Sequence, residues 1–85
     1  DEFILIFPGV TDLETLDAMA YRLIRALEKP IESDGRMCPI SGSVGITLAT
    51  DYAIPAAPQL LADADKALYA AKNAGGAQHR FFSKL

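Results

Sequence analysis

The sequence predicts an α+β fold in which a mixed sheet, with antiparallel and other pairings, is flanked by helices. Three observations carry this reading. Phe3–Phe7 is an unbroken apolar block bounded by Pro8 and Gly9, two later stretches repeat apolar residues every three or four positions, and Ser43–Ala49 alternates large apolar with small residues. Their order along the chain is strand, helix, hairpin, strand, helix, strand, which fits helices packed on one sheet rather than separate layers of each kind.

Taken in turn, Phe3, Ile4, Leu5, Ile6 and Phe7 read as a strand buried on both faces, because no polar residue marks a solvent side. Such a strand needs a neighbour on each side, and a domain seldom begins with its central strand. The expectation is therefore that residues 1–85 form the C-terminal portion of a single domain whose remaining strands lie upstream. Thr11 and Glu14 have the spacing of a capping box, so a helix is expected to start there. Leu13, Leu16, Ala20, Leu23, Ile24 and Leu27 make its apolar stripe, Arg22, Arg25 and Glu28 its wet side, and Pro30 its stop.

Between Ile31 and Ile40 the pair Asp34-Gly35 is a strong hairpin signal. In Ser43–Ala49, Val44, Ile46 and Leu48 point one way and Ser43, Gly45 and Thr47 the other, and a glycine inside a strand marks a bulge or a close approach. Residues 51–58, rich in Pro and Ala, read as a loop leading to a second helix that runs to about residue 74. Ala64, Ala67, Leu68, Ala71 and Ala74 form its inward face, and side chains this small imply close packing on a sheet. Gly75-Gly76 ends the helix, and Gln78–Phe82 reads as an edge strand.

Composition narrows the function. With 85 residues and 51% hydrophobic content there is one core and no room for two domains. Eight basic and eleven acidic residues give a net charge of −3 without a Lys/Arg run, which argues against nucleic-acid binding. No stretch approaches the ~20 apolar residues of a membrane span, and the acidic start is unlike a signal peptide, so a cytoplasmic segment is expected, with any membrane anchor elsewhere in the parent. The single cysteine, Cys38, has no partner for a disulfide or a metal knuckle and receives no chemical role. His79, between a glycine turn and a strand, is expected to be exposed and solvated.

Two polar groups are candidates for chemistry. Asp1 and Glu2 are adjacent carboxylates, which from a regular strand point to opposite faces but from a hairpin turn can converge on a hard cation such as Mg²⁺. The same residues are also what an ordinary solvated turn contains. Asp65, Tyr69, Lys72 and Gly76 lie at spacings of four, three and four, so a carboxylate, a phenol and an ammonium share one helix face. A lysine there also simply complements the helix dipole.

Together these residues resemble a known family. Asp1-Glu2-Phe3, followed by a strand ending in Phe7-Pro8-Gly9, resembles the end of the Gly-Gly-Asp-Glu-Phe signature of GGDEF domains, the diguanylate cyclases. Ser43-Val44-Gly45-Ile46 is similar to their Ser-x-Gly-Ile strand, and residues 64–75 match their Ala-Asp-x-Ala-Leu-Tyr-x-Ala-Lys-x-x-Gly helix at every defined position. The resemblance implies a nucleotide-cyclase or palm-like fold, a relative of the ferredoxin-like sheet, present here in part. It implies condensation of two GTP into cyclic di-GMP, with one GTP held by each of two facing domains in a homodimer.

By position, the resemblance makes Asp1 and Glu2 the catalytic carboxylates and the ligands of Mg²⁺ (or Mn²⁺), with Glu2 also able to activate the attacking hydroxyl. Lys72 becomes a substrate-binding contact to the triphosphate, with Asp65 and Tyr69 fixing the helix that aims it. Where the family often has an Arg four residues after this lysine, the chain has Gly76, which leaves Arg80 as a candidate second contact. His79-Arg80-Phe81-Phe82-Ser83 is similar to the exit of GGDEF domains joined to an EAL-type phosphodiesterase, so the alternative is a catalytically degenerate GTP-binding module regulating such a partner. Sensor or EAL domains are expected in the same parent chain.

Residues 1–85 alone are expected to be inactive, and a central strand without its neighbours should self-associate. Light scattering on the purified 85-residue chain is expected to report oligomers. A well-behaved monomer would contradict the reading of Phe3–Phe7 as a central strand.

Overall fold

The computed structural model describes residues 7, 9–29, 31–33, 35–38 and 41–85, with residues 31–33 and 36–38 described by their backbone. Asp1, Glu2 and most of the apolar block that was expected to form the central strand lie outside the described residues.

Helix α1 spans Leu13–Leu27. Its N-cap is Asp12, not Thr11: the Asp12 carboxylate accepts from the backbone amides of Glu14 and Thr15, both at 3.3 Å, and from the Thr15 hydroxyl at 2.7 Å. Both residue types can cap, but an ionised carboxylate also meets the positive end of the helix dipole, which favours the aspartate. The Thr15 hydroxyl and the two amides hold this carboxyl below its ordinary range. Leu16, Ala20 and Ile24 are buried as expected. Leu13, Leu23 and Leu27 from the same stripe are partly exposed, since two of them are the terminal residues of the helix and Leu23 lies at the stripe's edge. On the wet side Arg25 pairs with Glu28 at 3.0 Å and stacks over the Tyr21 ring at 5.1 Å.

The hairpin forms as predicted. Strands β1 (Ile31–Ser33) and β2 (Arg36–Cys38) pair antiparallel with Ser33 opposite Arg36, so a two-residue turn containing Gly35 joins them.

The part that positions the site is a strand, helix, strand unit. Strand β3 (Val44–Ile46) leads through a single 3-10 turn, Ala49–Asp51, into helix α2 (Ala57–Asn73), which returns to strand β4 (His79–Phe81). β3 and β4 are parallel, with Val44 opposite His79 and Ile46 opposite Phe81. A parallel pair requires a long crossover, and α2 supplies it. The helix begins earlier than the Pro-rich segment suggested, because Pro58 sits in its first turn, where a missing amide proton costs nothing.

The end of α2 follows the glycine signal closely. The Gly76 amide donates to the Ala71 carbonyl at 3.0 Å and the Gly75 amide to Lys72 at 3.2 Å, closing a Schellman cap around Gly75 at φ 117°. Ala77, at φ 55°, is the described non-glycine residue forced into the left-handed region as the chain turns towards β4.

Two helices cover opposite faces of this strand pair. Side chains alternate along a strand, so Ile46 and Phe81 face one way, where Leu16 of α1, Leu48 and Val10 join them in the core. Gly45 faces the other way, against α2. A methyl group built on Gly45 would overlap the Ala64 carbonyl and the Leu68 amide, with Leu68 Cα at 2.9 Å. The helix lies so close because Ala67 and Ala71, both with 0% exposure, present only methyl groups to the strands.

His79 is not solvated as expected. Its Nε2 lies 2.6 Å from Asp17 Oδ1, its side chain is largely covered, and its ring meets Phe81 edge to face at 5.9 Å. The parallel register that puts His79 on the α1 side of the pair could not be read from local sequence.

Gly45→Ala is expected to destabilise the fold by about 3 kcal/mol or more, because backbone rather than a flexible side chain occupies the space. Urea unfolding measures it, and a loss below about 1 kcal/mol would mean that the helix can retreat from the strand.

Candidate functional site

The later polar group lies on α2, and its geometry follows from how that helix seats. With Ala64, Ala67 and Ala71 turned to the sheet, the 3.6-residue repeat carries Asp65, Tyr69 and Lys72 to the outer side. All three are exposed, Tyr69 to 68%, and together with half-buried Leu68 they line a shallow cavity of about 180 Å³. The cavity thus presents a carboxylate, a phenol and an ammonium over an apolar floor. This is a surface that can hold an anionic group at Lys72 without a deep pocket. Gly76 follows beyond the helix end at φ 70° and contributes no side chain.

Asp1 and Glu2 lie outside the described residues. Arg80 is exposed in β4, and its Nε donates to Gln78 Oε1 at 2.9 Å.

Asp65 and Tyr69 are the residues expected to fix the helix that aims Lys72. Among the described residues neither makes a side-chain hydrogen bond, whereas Asp63, with 3% exposure, is the buried charged side chain of the unit. It accepts from Tyr52 Oη at 2.5 Å and from Gln59 Nε2 at 2.9 Å, and Lys66 Nζ stands 3.9 Å away. Thr47 adds a second polar tie on this side, its hydroxyl donating to the Leu60 carbonyl at 3.2 Å. Sequence reasoning missed Asp63, though one signal pointed to it. Leu60, Asp63, Ala64 and Ala67 fall at the spacing of the inward stripe, which places a carboxylate where only apolar residues are expected. Tyr52, in an aperiodic loop, carried no such signal.

The pair perturb one another. The Tyr52 hydroxyl, then the Gln59 amide, hold the Asp63 carboxyl below its ordinary value, outweighing burial, with help from Lys66. In return Asp63 and burial push the Tyr52 phenol up to about 12. The proton therefore stays on the tyrosine and the charge on the aspartate, giving a charge-assisted hydrogen bond.

Stability linkage has a definite sign at each end. Tyr52 keeps its proton more firmly when folded, so its contribution is complete below the ordinary value of 10.0 and fades as pH rises towards about 12. Asp63 acts oppositely, its contribution being present above the ordinary 3.8 and lost as pH falls through the lower folded value. Tyr52→Phe is expected to remove a tyrosinate absorbance step near pH 12 and to flatten the alkaline loss of stability. A titration curve unchanged by the substitution would contradict the Tyr52–Asp63 bond.

With this geometry in place, the chain can be compared with known proteins. The family model described as "Diguanylate cyclase, GGDEF domain" matches residues 1–78. An uncharacterized signaling protein of Caulobacter vibrioides is 38% identical over 85 residues, covering 99% of this chain and 10% of that protein. An uncharacterized 19.3 kDa protein encoded 5′ of repSA in Streptomyces ambofaciens is 39% identical over 72 residues, covering 85% of this chain and 37% of that protein. The chain thus spans well under half of either relative. No solved structure matches significantly. The family match takes in β3 and α2, the helix bearing Lys72, as well as the acidic pair, and the chain belongs to the GGDEF family of diguanylate cyclase domains.

Proposed function

We propose that the parent domain condenses two GTP molecules into cyclic di-GMP. The observation that carries this is the exposed Asp65, Tyr69 and Lys72 face of α2, which sits at the positions of the family's helix within a family match that also includes Asp1 and Glu2. In each half-reaction a 3′-oxygen bonds to the α-phosphorus of the other nucleotide, the bond from that phosphorus to the bridging oxygen breaks, and pyrophosphate leaves. The hydroxyl proton passes to a base.

Each role follows from what a side chain can do. Lys72, on an exposed helix turn, offers a mobile ammonium to triphosphate oxygens. The hard carboxylates of Asp1 and Glu2, at the positions of the family's signature, are the pair assigned to Mg²⁺ or Mn²⁺. When bound, such an ion neutralises charge building on the phosphates. Glu2 is the candidate to orient or deprotonate the attacking hydroxyl. Two copies must face each other, since each nucleotide is both nucleophile and target. No described helix is long and apolar enough to cross a membrane. The use of GTP, an intracellular nucleotide, favours a cytoplasmic working site.

A second reading is favoured by Gly76. A left-handed glycine stands where the family often has a phosphate-contacting arginine, so the module could bind GTP without turning it over and control an attached EAL-type phosphodiesterase. The two readings separate in the full-length protein. Incubation with GTP and Mg²⁺ is expected to yield cyclic di-GMP, with Asp1→Ala abolishing product and Lys72→Ala raising the KM for GTP by about 10-fold, as befits one charged contact. If no product forms while GTP alters hydrolysis of cyclic di-GMP, the regulatory reading holds instead. Product formation untouched by Asp1→Ala would sink the assignment of the acidic pair.

A further inference from the structure

We propose that Asp63, held by Tyr52 and Gln59, is a positioning residue that sets the rotation of α2 about its axis and so the aim of Lys72. This rests on the reading of Lys72 as a triphosphate contact.

The need for such a device follows from how α2 meets the strands. Over Gly45 its inner face presents the methyl groups of Ala67 and Ala71, with Leu60, Ala64 and Leu68 half-buried beside them, which brings the helix close but leaves few large side chains to interlock with the strands. Close approach fixes distance, whereas ridges seated in grooves are what ordinarily fix rotation. Directional bonds do so here. Tyr52, eleven residues before Asp63 in the connection from β3, grips the carboxylate from outside the helix at 2.5 Å, and Gln59, one turn earlier, holds it from within at 2.9 Å. The Thr47 hydroxyl takes the Leu60 carbonyl on the same side. The Tyr52 and Gln59 bonds meet at Asp63 on one border of the alanine stripe, and all three polar ties lie in the first half of the helix.

Lys72 follows Asp63 by about two and a half turns, which puts it on the opposite side of the helix. The clamp and the ammonium are therefore two ends of one lever. A side-chain tip ~6 Å from the helix axis moves by about 2 Å when the helix turns by about 20°. Misplacement of about 1 Å can alter rates by up to about 100-fold. The depressed carboxyl of Asp63 and the raised phenol of Tyr52 fit a bond that keeps its charge at neutral pH.

The test uses the full-length protein and a double-mutant cycle. Tyr52→Phe removes only the hydroxyl and is expected to raise the KM for GTP about 3- to 10-fold with kcat within about 2-fold, and to leave guanosine binding, which does not reach Lys72, unchanged. In a Lys72→Ala background the same substitution is expected to have no further effect, because the two act through one contact. Asp63→Asn, which keeps an acceptor for the tyrosine, is expected to retain most of the affinity that Asp63→Ala loses. An equal loss in both Lys72 backgrounds, or no loss at all, would overturn the proposal and leave the cyclase reading intact. If the unmodified protein binds no GTP, the reading of Lys72 fails on its own. Hydrogen exchange then decides for the clamp: faster exchange of residues 66–73 in Tyr52→Phe supports it, and unchanged exchange overturns it.

Discussion

The contact between Gly45 and the backbone of α2 is the constraint on which the described structure depends. A strand and a helix normally stand apart by the thickness of their side chains, and here that thickness is reduced nearly to nothing because Gly45 has no side chain and Ala67 and Ala71 have only methyls. The close seat lets one crossover helix span the parallel pair β3–β4. It also determines which face of α2 is left for solvent, and that face carries Asp65, Tyr69 and Lys72. The glycine thus belongs to the site without touching it.

Around this seat the polar interactions divide the work. On one border of the helix, Asp63, Tyr52, Gln59 and Thr47 hold directional bonds. At the end, the Schellman cap around Gly75 stops the helix one residue after Lys72, so the ammonium sits in a last turn whose carbonyls are satisfied by Gly75 and Gly76. On the far side of the strands, α1 is attached by apolar packing of Leu16 and by the His79–Asp17 contact. A buried carboxylate such as Asp63 is costly unless every oxygen is paired. Both of its oxygens are, one by Tyr52 and one by Gln59.

Much of this was legible in the sequence because it is local. Gly45 in an alternating strand announced the close approach and Gly75-Gly76 the cap, while the alanine face announced the partner at Ala67 and Ala71 but not at Ala74, which is exposed at the helix end. Asp34-Gly35 announced the hairpin. What could not be read depends on groups distant in sequence or on competition between equals. Thr11 and Asp12 are both eligible caps, and the structure selects the aspartate, whose charge meets the positive end of the helix. His79 looked solvated because nothing near it in the chain foretells Asp17. The candidate site was found through a helix motif that keeps its residues on one turn after another, whereas Asp63 escaped because its partner Tyr52 lies in an aperiodic loop.

The His79–Asp17 contact has a bearing on how the chain reaches this arrangement. The two residues are 62 positions apart, so α1 meets its polar partner only through β4, at the far end of a long connection. Closing so long a loop is entropically slow, while β3, α2 and β4 can assemble through shorter connections. The strand, helix, strand unit therefore has the means to form by itself and to serve as the template on which α1 docks.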